Sequence, residues 1–514
     1  MKTYIKNILG KAKQLIKENS NLLGILCLFI IIQPFFDTVQ FFENENLTIF
    51  GFTIPTIIRC IVIFVLGLLS IKYINKKHYK YILIYIGILL VYTLCHHIVC
   101  SSSDIIIPER YNYSITSELF YIIRMLLPLA IVIFTKSSNI TKEKFLKILT
   151  ISGAIIGTII FIGNTFCISY VSYGKGITAV NWMQWFFSDV SQYDFNLLTS
   201  KGWFFMANQV SGVMVLLFPF CVYSAIKHNN FINLYSAIIL LIGMIMLGTR
   251  VASFGALLIL ISLIIGIIVL SILYKRIKNI KKELLTISTI TIIAIVFLIF
   301  SPVAHRTYGY SLGDINSLEK KPEIDFSNLE SLEQAYGYIE NNYEIFKIQK
   351  RYVYNLYNYK FDPKFWFDVF EHSIENGVIE NREMQRLISS RIDTLNNSEL
   401  KYKLLGYSFS RMRNGQIYME HDILVQAYTM GYIGLILLIG PYIAIIAVVV
   451  IKILKSKKIR LIDVTFILST GACILSGIFA GHVLDELFVT IYLGFICGYF
   501  LKDITNNRKT KVKT

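Results

Sequence analysis

The chain has 514 residues, 55% of them hydrophobic, and carries a formal net charge of +17. Its apolar residues come in blocks of about twenty, the length that crosses a bilayer as a helix. They do not form stripes alternating with charged faces, which excludes a soluble globular fold. The lysines gather in one set of connections between blocks, as a topology signal does, so nucleic-acid binding is not expected.

Residues 1–20 are basic and amphipathic, with Ile5, Ile8, Leu9, Ala12, Leu15 and Ile16 on one face. This stretch is predicted to lie as a helix on an anionic inner membrane surface. No cleavage pattern ends the apolar block after it, so it is not read as a removable signal. Apolar blocks follow at 21–42, 53–74, 79–99, 116–135, 145–170, 204–226, 231–248, 251–274, 284–303, 422–451, 460–480 and 485–501. One set of flanks carries Lys11–Lys17, Lys76–Lys80, Lys136–Lys144, Lys227, Lys275–Lys282, Lys452–Arg460 and Arg508–Lys513. The alternate set carries Asp37, Glu43, Glu45, Asp104, Glu109 and Asp485. The positive-inside rule places the first set, and with it both termini, in the cytoplasm of a cell whose plasma membrane the chain spans.

The predicted fold is therefore all-α, a polytopic transmembrane helical bundle of about twelve spans with a large helical extracytoplasmic loop. The predicted organisation is a cytoplasmic N-terminus at 1–20, membrane helices over 21–303, the loop at 304–421, membrane helices over 422–501 and a basic tail at 502–514. All eight cysteines lie in or at the ends of apolar segments, which leaves no disulfide framework and no zinc spacing.

Two outer loops are long. The first, 171–203, is rich in aromatics, among them Tyr173, Trp182, Trp185, Phe186, Phe187, Tyr193, Phe195 and Trp203. Such residues settle at the headgroup level or stack on sugar rings. In the second loop, Asp362–Pro363 reads as an N-cap before an N1 proline, with Gly377 as the stop. A further helix is predicted over Arg382–Leu395, and another from Asn397 or Ser398 to Gly406.

Several residues carry candidate chemistry. Arg250 sits in a very short turn on the outer side, at the start of an apolar block. Its planar fork of donors suits a phosphate pair, and the following helix N-terminus favours anions; a headgroup anchor is the plainer reading. Glu420–His421–Asp422 closes the large loop. It reads either as a capping cluster with Asp422 as N-cap or as a base at the membrane surface, His421 or Glu420 taking a proton from a hydroxyl. Arg59 and Arg124 lie inside apolar blocks, where a charge is a functional candidate or needs a structural partner, and Glu118 and Asp37 are the candidate partners for them. His96 and His97 read as interface residues rather than metal ligands, because adjacent side chains on a helix diverge. Glu43 and Glu45 are a weak metal signal and read as topology charges. No metal or cofactor is expected.

Four stretches together resemble the O-antigen ligase and polymerase family of bacterial membrane proteins. Gly202–Gly212 (GWFFMANQVSG) is similar to its G…NPN-L-G entry to a span, with Asn208 at the matching Asn. Gly248–Leu257 (GTRVASFGAL) is similar to its S-R-G/T-A-x-x-A stretch, with Arg250 at the Arg. Ser389–Leu395 (SSRIDTL) is similar to G-R-x-x-x-W, with Arg391 at the Arg. Leu405–Ser408 and Glu420–Leu435 are similar to a G-x-G turn followed by H-(N/D)-x-x-L…G-I-I-G-L. Ser390, Leu395 and Ser408 depart from the pattern, standing where Gly, Trp and the second Gly are usual.

The resemblance implies transfer of a glycan from a polyprenyl-pyrophosphate carrier to a sugar hydroxyl on the outer face. The leaving pyrophosphate needs positive charge, for which Arg250 and Arg391 are suited without a metal. Asn208 and Arg124 complete the expected substrate-binding set, and His421 with Glu420 the expected catalytic pair. The partners implied are the lipid-linked oligosaccharide, a glycan acceptor and the bilayer. The Ile, Lys, Asn and Tyr bias suggests an AT-rich genome, favouring a polymerase of capsular or similar repeat units over an O-antigen-type ligase. A transporter is the rival from another class, but the two halves differ and the long loop is late.

Overall fold

The computed structural model describes the chain except for residues 1–20, 40–47, 50–51, 72, 75, 110, 175, 229, 275–279, 305–311, 313–320, 415–418, 457 and 507–514. The expected surface helix at 1–20, the pair Glu43 and Glu45, and the end of the basic tail lie outside the described residues.

In chain order the elements are α1 (Asn21–Phe36), a short antiparallel ladder of β1 (Thr48–Ile49) and β2 (Phe52–Thr53), α2 (Ile54–Ser70), α3 (Lys76–Cys100), α4 (Ile115–Ser137) and α5 (Lys142–Thr165). Then come α6 (Trp182–Phe187), α7 (Phe195–Leu198), α8 (Ala207–His228), α9 (Phe231–Met246), α10 (Arg250–Leu273) and α11 (Ile280–Ile299). The large segment holds α12 (Leu329–Asn342), a π-helical turn (Arg351–Leu356), α13 (Pro363–Asn376), α14 (Asn381–Leu395), α15 (Leu400–Leu405) and α16 (Phe409–Asn414). The chain closes with α17 (Asp422–Thr429), α18 (Gly431–Leu438), α19 (Gly440–Leu454), α20 (Leu461–Phe479) and α21 (Leu487–Asn506).

The chain is an all-α, multi-pass membrane protein. Among the described residues eight helices are long and apolar enough to cross a bilayer: α3, α4, α5, α8, α10, α11, α20 and α21. The pair α18 and α19, bent by 45°, makes a ninth if it is one span. The expected blocks at 21–42, 53–74 and 231–248 contain shorter helices, α1, α2 and α9. Helix α9 stops because Gly248 turns the chain with φ +66°, a left-handed conformation open to glycine.

The described residues of 1–84, 123–306 and 438–514 form one compact unit. Its centre is α8, buried along its apolar length and packed by α5, α9, α10, α11, α20 and α21. Outer helices expose large apolar side chains instead: on α10, Leu258, Ile261, Ile265 and Ile272 are all open, the surface that lipid solvates. The spacing Gly494-x-x-x-Gly498 on α21 permits close packing on the carboxyl-terminal half of α4, since a Cβ on Gly498 would sit 2.6 Å from the Val132 carbonyl oxygen.

The described residues of 85–122 and 307–437 form the second unit. It has an aromatic core of its own around Trp366, Phe346, Phe370, Tyr352, Tyr357 and Tyr402. Phe346 and Phe370 stack at 4.3 Å between centroids, and the Trp366 indole donates to the Tyr357 carbonyl at 3.1 Å. Asp362 caps α13, Pro363 opens it, and Gly377 ends it with φ +89°, as the sequence predicts. Helix α14 starts one residue before its predicted position. Helix α15 begins after Glu399 instead of at Asn397 or Ser398. Those two residues have φ of +56° and +47°, so they turn the chain and cannot start a right-handed helix.

The expected block 422–451 is not one helix. It breaks at Gly431, φ +69°, which lies backbone against backbone with Gly406, φ +86°. A Cβ on Gly406 would meet the Gly431 nitrogen at 2.6 Å. Hydropathy does not register such a break, because the residues on both sides are apolar.

Gly498→Ala is expected to lower the thermal unfolding midpoint of the detergent-purified protein, overpacking costing about 1–3 kcal/mol. Gly471→Ala, whose added Cβ meets open space, is expected to leave the midpoint unchanged.

Candidate functional site

In the first unit, polar groups collect around the amino end of α8. Asn208, in its first turn, donates through Nδ2 to the Ala480 carbonyl at 3.2 Å. Three residues on, the Ser211 hydroxyl lies 3.3 Å from that of Thr249. Thr249 is the N-cap of α10 and accepts from the Ala252 amide, so Arg250 is the first helical residue of α10. Its side chain is exposed. The predicted position at a helix amino end is thus observed, and the cap that fixes it rests on the helix carrying Asn208.

Arg124 reaches the turn between α20 and α21. Its Nε donates to the Asp485 carbonyl at 3.2 Å, a second nitrogen joins the same oxygen, and an ion pair to Glu486 Oε1 spans 3.3 Å. The predicted acid partners, Asp37 and Glu118, are bound elsewhere. Asp37 pairs with Arg59, whose Nε also donates to Gln33 Oε1 at 2.9 Å. Arg59 is only 2% exposed, as an ion pair inside an apolar bundle requires. Glu118 belongs to the second unit.

The aromatic loop packs on the ends of neighbouring helices. The Trp182 indole donates to Thr165 Oγ1 at 3.0 Å, the capping box of Asn181 and Gln184 opens α6, and Phe186 lies 4.6 Å from the Phe300 ring centre. Trp185 is buried, whereas Phe187 is 85% exposed.

In the second unit, His421 occupies the N-cap position of α17, with φ −168°, and Asp422 is the first helical residue. This corrects the expectation that Asp422 is the cap: the extended backbone that capping needs lies one residue earlier. Glu420 forms an ion pair with Arg382, and its amide donates to Gln385 Oε1 at 3.1 Å. Arg382 and Gln385 share a face of α14. Arg391, nine residues beyond Arg382, faces the other way and grips Asp362 with two bonds of 2.7 and 3.0 Å. Those bonds raise the Arg391 pKa. Asp362 also accepts from the Tyr357 hydroxyl at 2.9 Å, and burial, with this acid beside it, pushes the Tyr357 hydroxyl well above its ordinary range.

The sequence reading did not single out the cluster around Glu118. This buried carboxylate lies 3.1 Å from His96 Nε2 and accepts from the Ser410 amide and hydroxyl at 2.7 and 2.8 Å, and from the Ser408 hydroxyl. His96 is therefore a core residue and not an interface one, while His97 bonds Tyr113 at 2.8 Å. Ser408 holds φ +82°, so the G-x-S turn keeps a left-handed residue at both ends. His482 and Glu486 were also missed. The signal available was three polar residues in the short connection 480–486.

Arg250, Asn208 and Arg124 belong to the first unit; His421, Glu420 and Arg391 belong to the second. Asp362→Ala and Arg391→Ala are each expected to destabilise the protein by about 2 kcal/mol, with the double variant losing less than the sum. Thermal denaturation of the four proteins completes that cycle.

A comparison with curated proteins found no match. The family model described as O-antigen ligase like membrane protein matches residues 20–507, nearly the whole chain. The chain belongs to this family of O-antigen ligase like membrane proteins, with which go a glycosyltransferase-type activity and the ligation or polymerisation of glycans.

Proposed function

We propose that this protein transfers a glycan from a polyprenyl-pyrophosphate carrier to a sugar hydroxyl at the outer face of a bacterial plasma membrane, and that it polymerises repeat units of a capsular or similar surface polysaccharide. The observation that carries this reading is Arg250: in a chain of this family, an exposed guanidinium opens an apolar helix whose first-turn amides also favour anions. The charge balance of the connections supports a topology of twelve spans with both termini inside and the large segment outside.

In the proposed reaction the acceptor hydroxyl attacks the anomeric carbon as the bond to the carrier pyrophosphate breaks, inverting that centre in one displacement. Negative charge grows on the leaving phosphate oxygen, where Arg250 stabilises it. The hydroxyl proton passes to His421, which Glu420 flanks. Glu420 is itself held by Arg382 and by Gln385, an arrangement that fixes the chain entering α17. Asn208 and Arg124 order the surroundings of the carrier end. Arg391, with its fork engaged on Asp362, is assigned to shaping the large segment.

Arg250→Ala and His421→Ala are each expected to reduce transfer at least a hundredfold, a loss of roughly 3 kcal/mol in transition-state stabilisation, with the protein still present in the membrane. A fully active double variant would sink the assignment. Deletion of the gene in its host, followed by profiling of lipid-linked glycans, separates the activities. Single repeat units accumulating on the carrier mark a polymerase. Long chains retained on the carrier and missing from the surface mark a ligase. An unchanged profile overturns glycan transfer and favours a transporter.

A further inference from the structure

We infer that His482, Asp485 and Glu486 form a binding site for a first-row divalent cation in the turn between α20 and α21. The three side chains each offer one ligand atom, and these atoms lie within 4.8 Å of one another. Acidic groups alone would not make a site, since carboxylates cluster without ions on many surfaces. Here the decisive group is the Asp485 side chain. The residue is 7% exposed, and its Oδ1 is buried with no hydrogen-bond partner among the described residues. A buried carboxylate oxygen without a donor is costly, and a cation supplies what it lacks.

Arg124 does not fill that role. It takes the backbone carbonyl of Asp485 and one oxygen of Glu486, so the Asp485 side chain is left facing the other two ligands. The two carboxylates match the charge of a dication, and the Arg124 guanidinium paired with Glu486 leaves the loaded cluster one unit positive. Ligand bonds of ~2.1 Å set neighbouring ligand atoms about 3–3.5 Å apart, so the turn closes on the ion by roughly an ångström. One imidazole and two carboxylates form a mixed nitrogen and oxygen set. That set favours Mn2+ or Zn2+ over Ca2+, which takes six to eight oxygens, and over Mg2+, which keeps its waters.

The turn also receives Asn208 at Ala480. A bound ion would thus stiffen the point where α8 and Arg124 meet the connection. This inference stands apart from the glycan-transfer reading and holds or falls without it.

The test uses the full chain, purified in detergent, stripped with chelator and titrated with Mn2+, the free ion being followed by its electron paramagnetic resonance signal. The expected result is one ion per chain with a dissociation constant on the order of 10 µM or tighter, and a higher thermal midpoint on loading. Asp485→Asn, nearly isosteric, is expected to weaken binding at least tenfold and to abolish the gain in midpoint, and His482→Ala to do the same. Failure of the wild-type protein to take up one ion, or unaltered affinity in Asp485→Asn, would overturn the inference. Because the readout is ion binding, the result does not depend on whether the protein transfers glycans.

Discussion

Hydrocarbon offers a charged side chain no partner, so every charge carried by an apolar helix must be answered by the protein itself. Arg59 is answered by Asp37 and Gln33, Arg124 by the Asp485 carbonyl and Glu486, and Glu118 by His96 and the hydroxyls and amides of residues 408–410. These polar clamps decide which helices are neighbours. Apolar contacts alone are interchangeable among Leu-, Ile- and Val-rich surfaces, whereas an Arg and its acceptor fit one register. One of these clamps, that of Arg124, also sits beside a residue proposed for chemistry. Arg124 fixes the 480–486 turn against which Asn208 leans, so the fold's electrostatic fasteners and its candidate site share a framework.

The second unit is built by different rules. Its core is aromatic, with Trp366, Tyr338, Phe346 and Phe370 packed as in a water-soluble domain, and its helices carry side-chain caps such as Asn328 and Asp362. An aromatic core beneath polar helix faces is the pattern of a domain that folds in water. A segment of this kind has its own reason to fold and can offer a rigid support to residues such as Arg382 and Gln385, which hold Glu420.

What could be read from the sequence follows from the range of each interaction. Local signals were legible: the Asp362–Pro363 start, the Gly377 stop, and the place of Arg250 at a helix amino end are all written within a few residues. Asp37 was legible as a candidate partner for the arginines inside the apolar blocks, but which arginine it pairs with was not. The partner of Arg124 was not legible, because its acceptor lies 361 residues downstream. The break at Gly431 was hidden for the same reason, as it exists to fit Gly406. The start of α15 was misread because Asn and Ser are good caps in an extended conformation, and here both are left-handed. Of the candidate site, residue types and helix positions were legible; the engagement of Arg391 with Asp362 and of Glu420 with Arg382 depended on packing within the large segment.

The turn at Gly406–Ser408 bears on how such a chain can change over time. A left-handed serine is less comfortable than a left-handed glycine by roughly 1–2 kcal/mol. At this position its hydroxyl gives Glu118 a donor, and a bond to a buried carboxylate recovers an amount of similar size. The acid at position 118 thus offsets part of the cost of a left-handed serine, beside the bonds that the same hydroxyl makes with Ser410 and with the Arg411 amide. The two positions lie 290 residues apart, yet they are energetically coupled, so the effect of replacing one depends on what stands at the other.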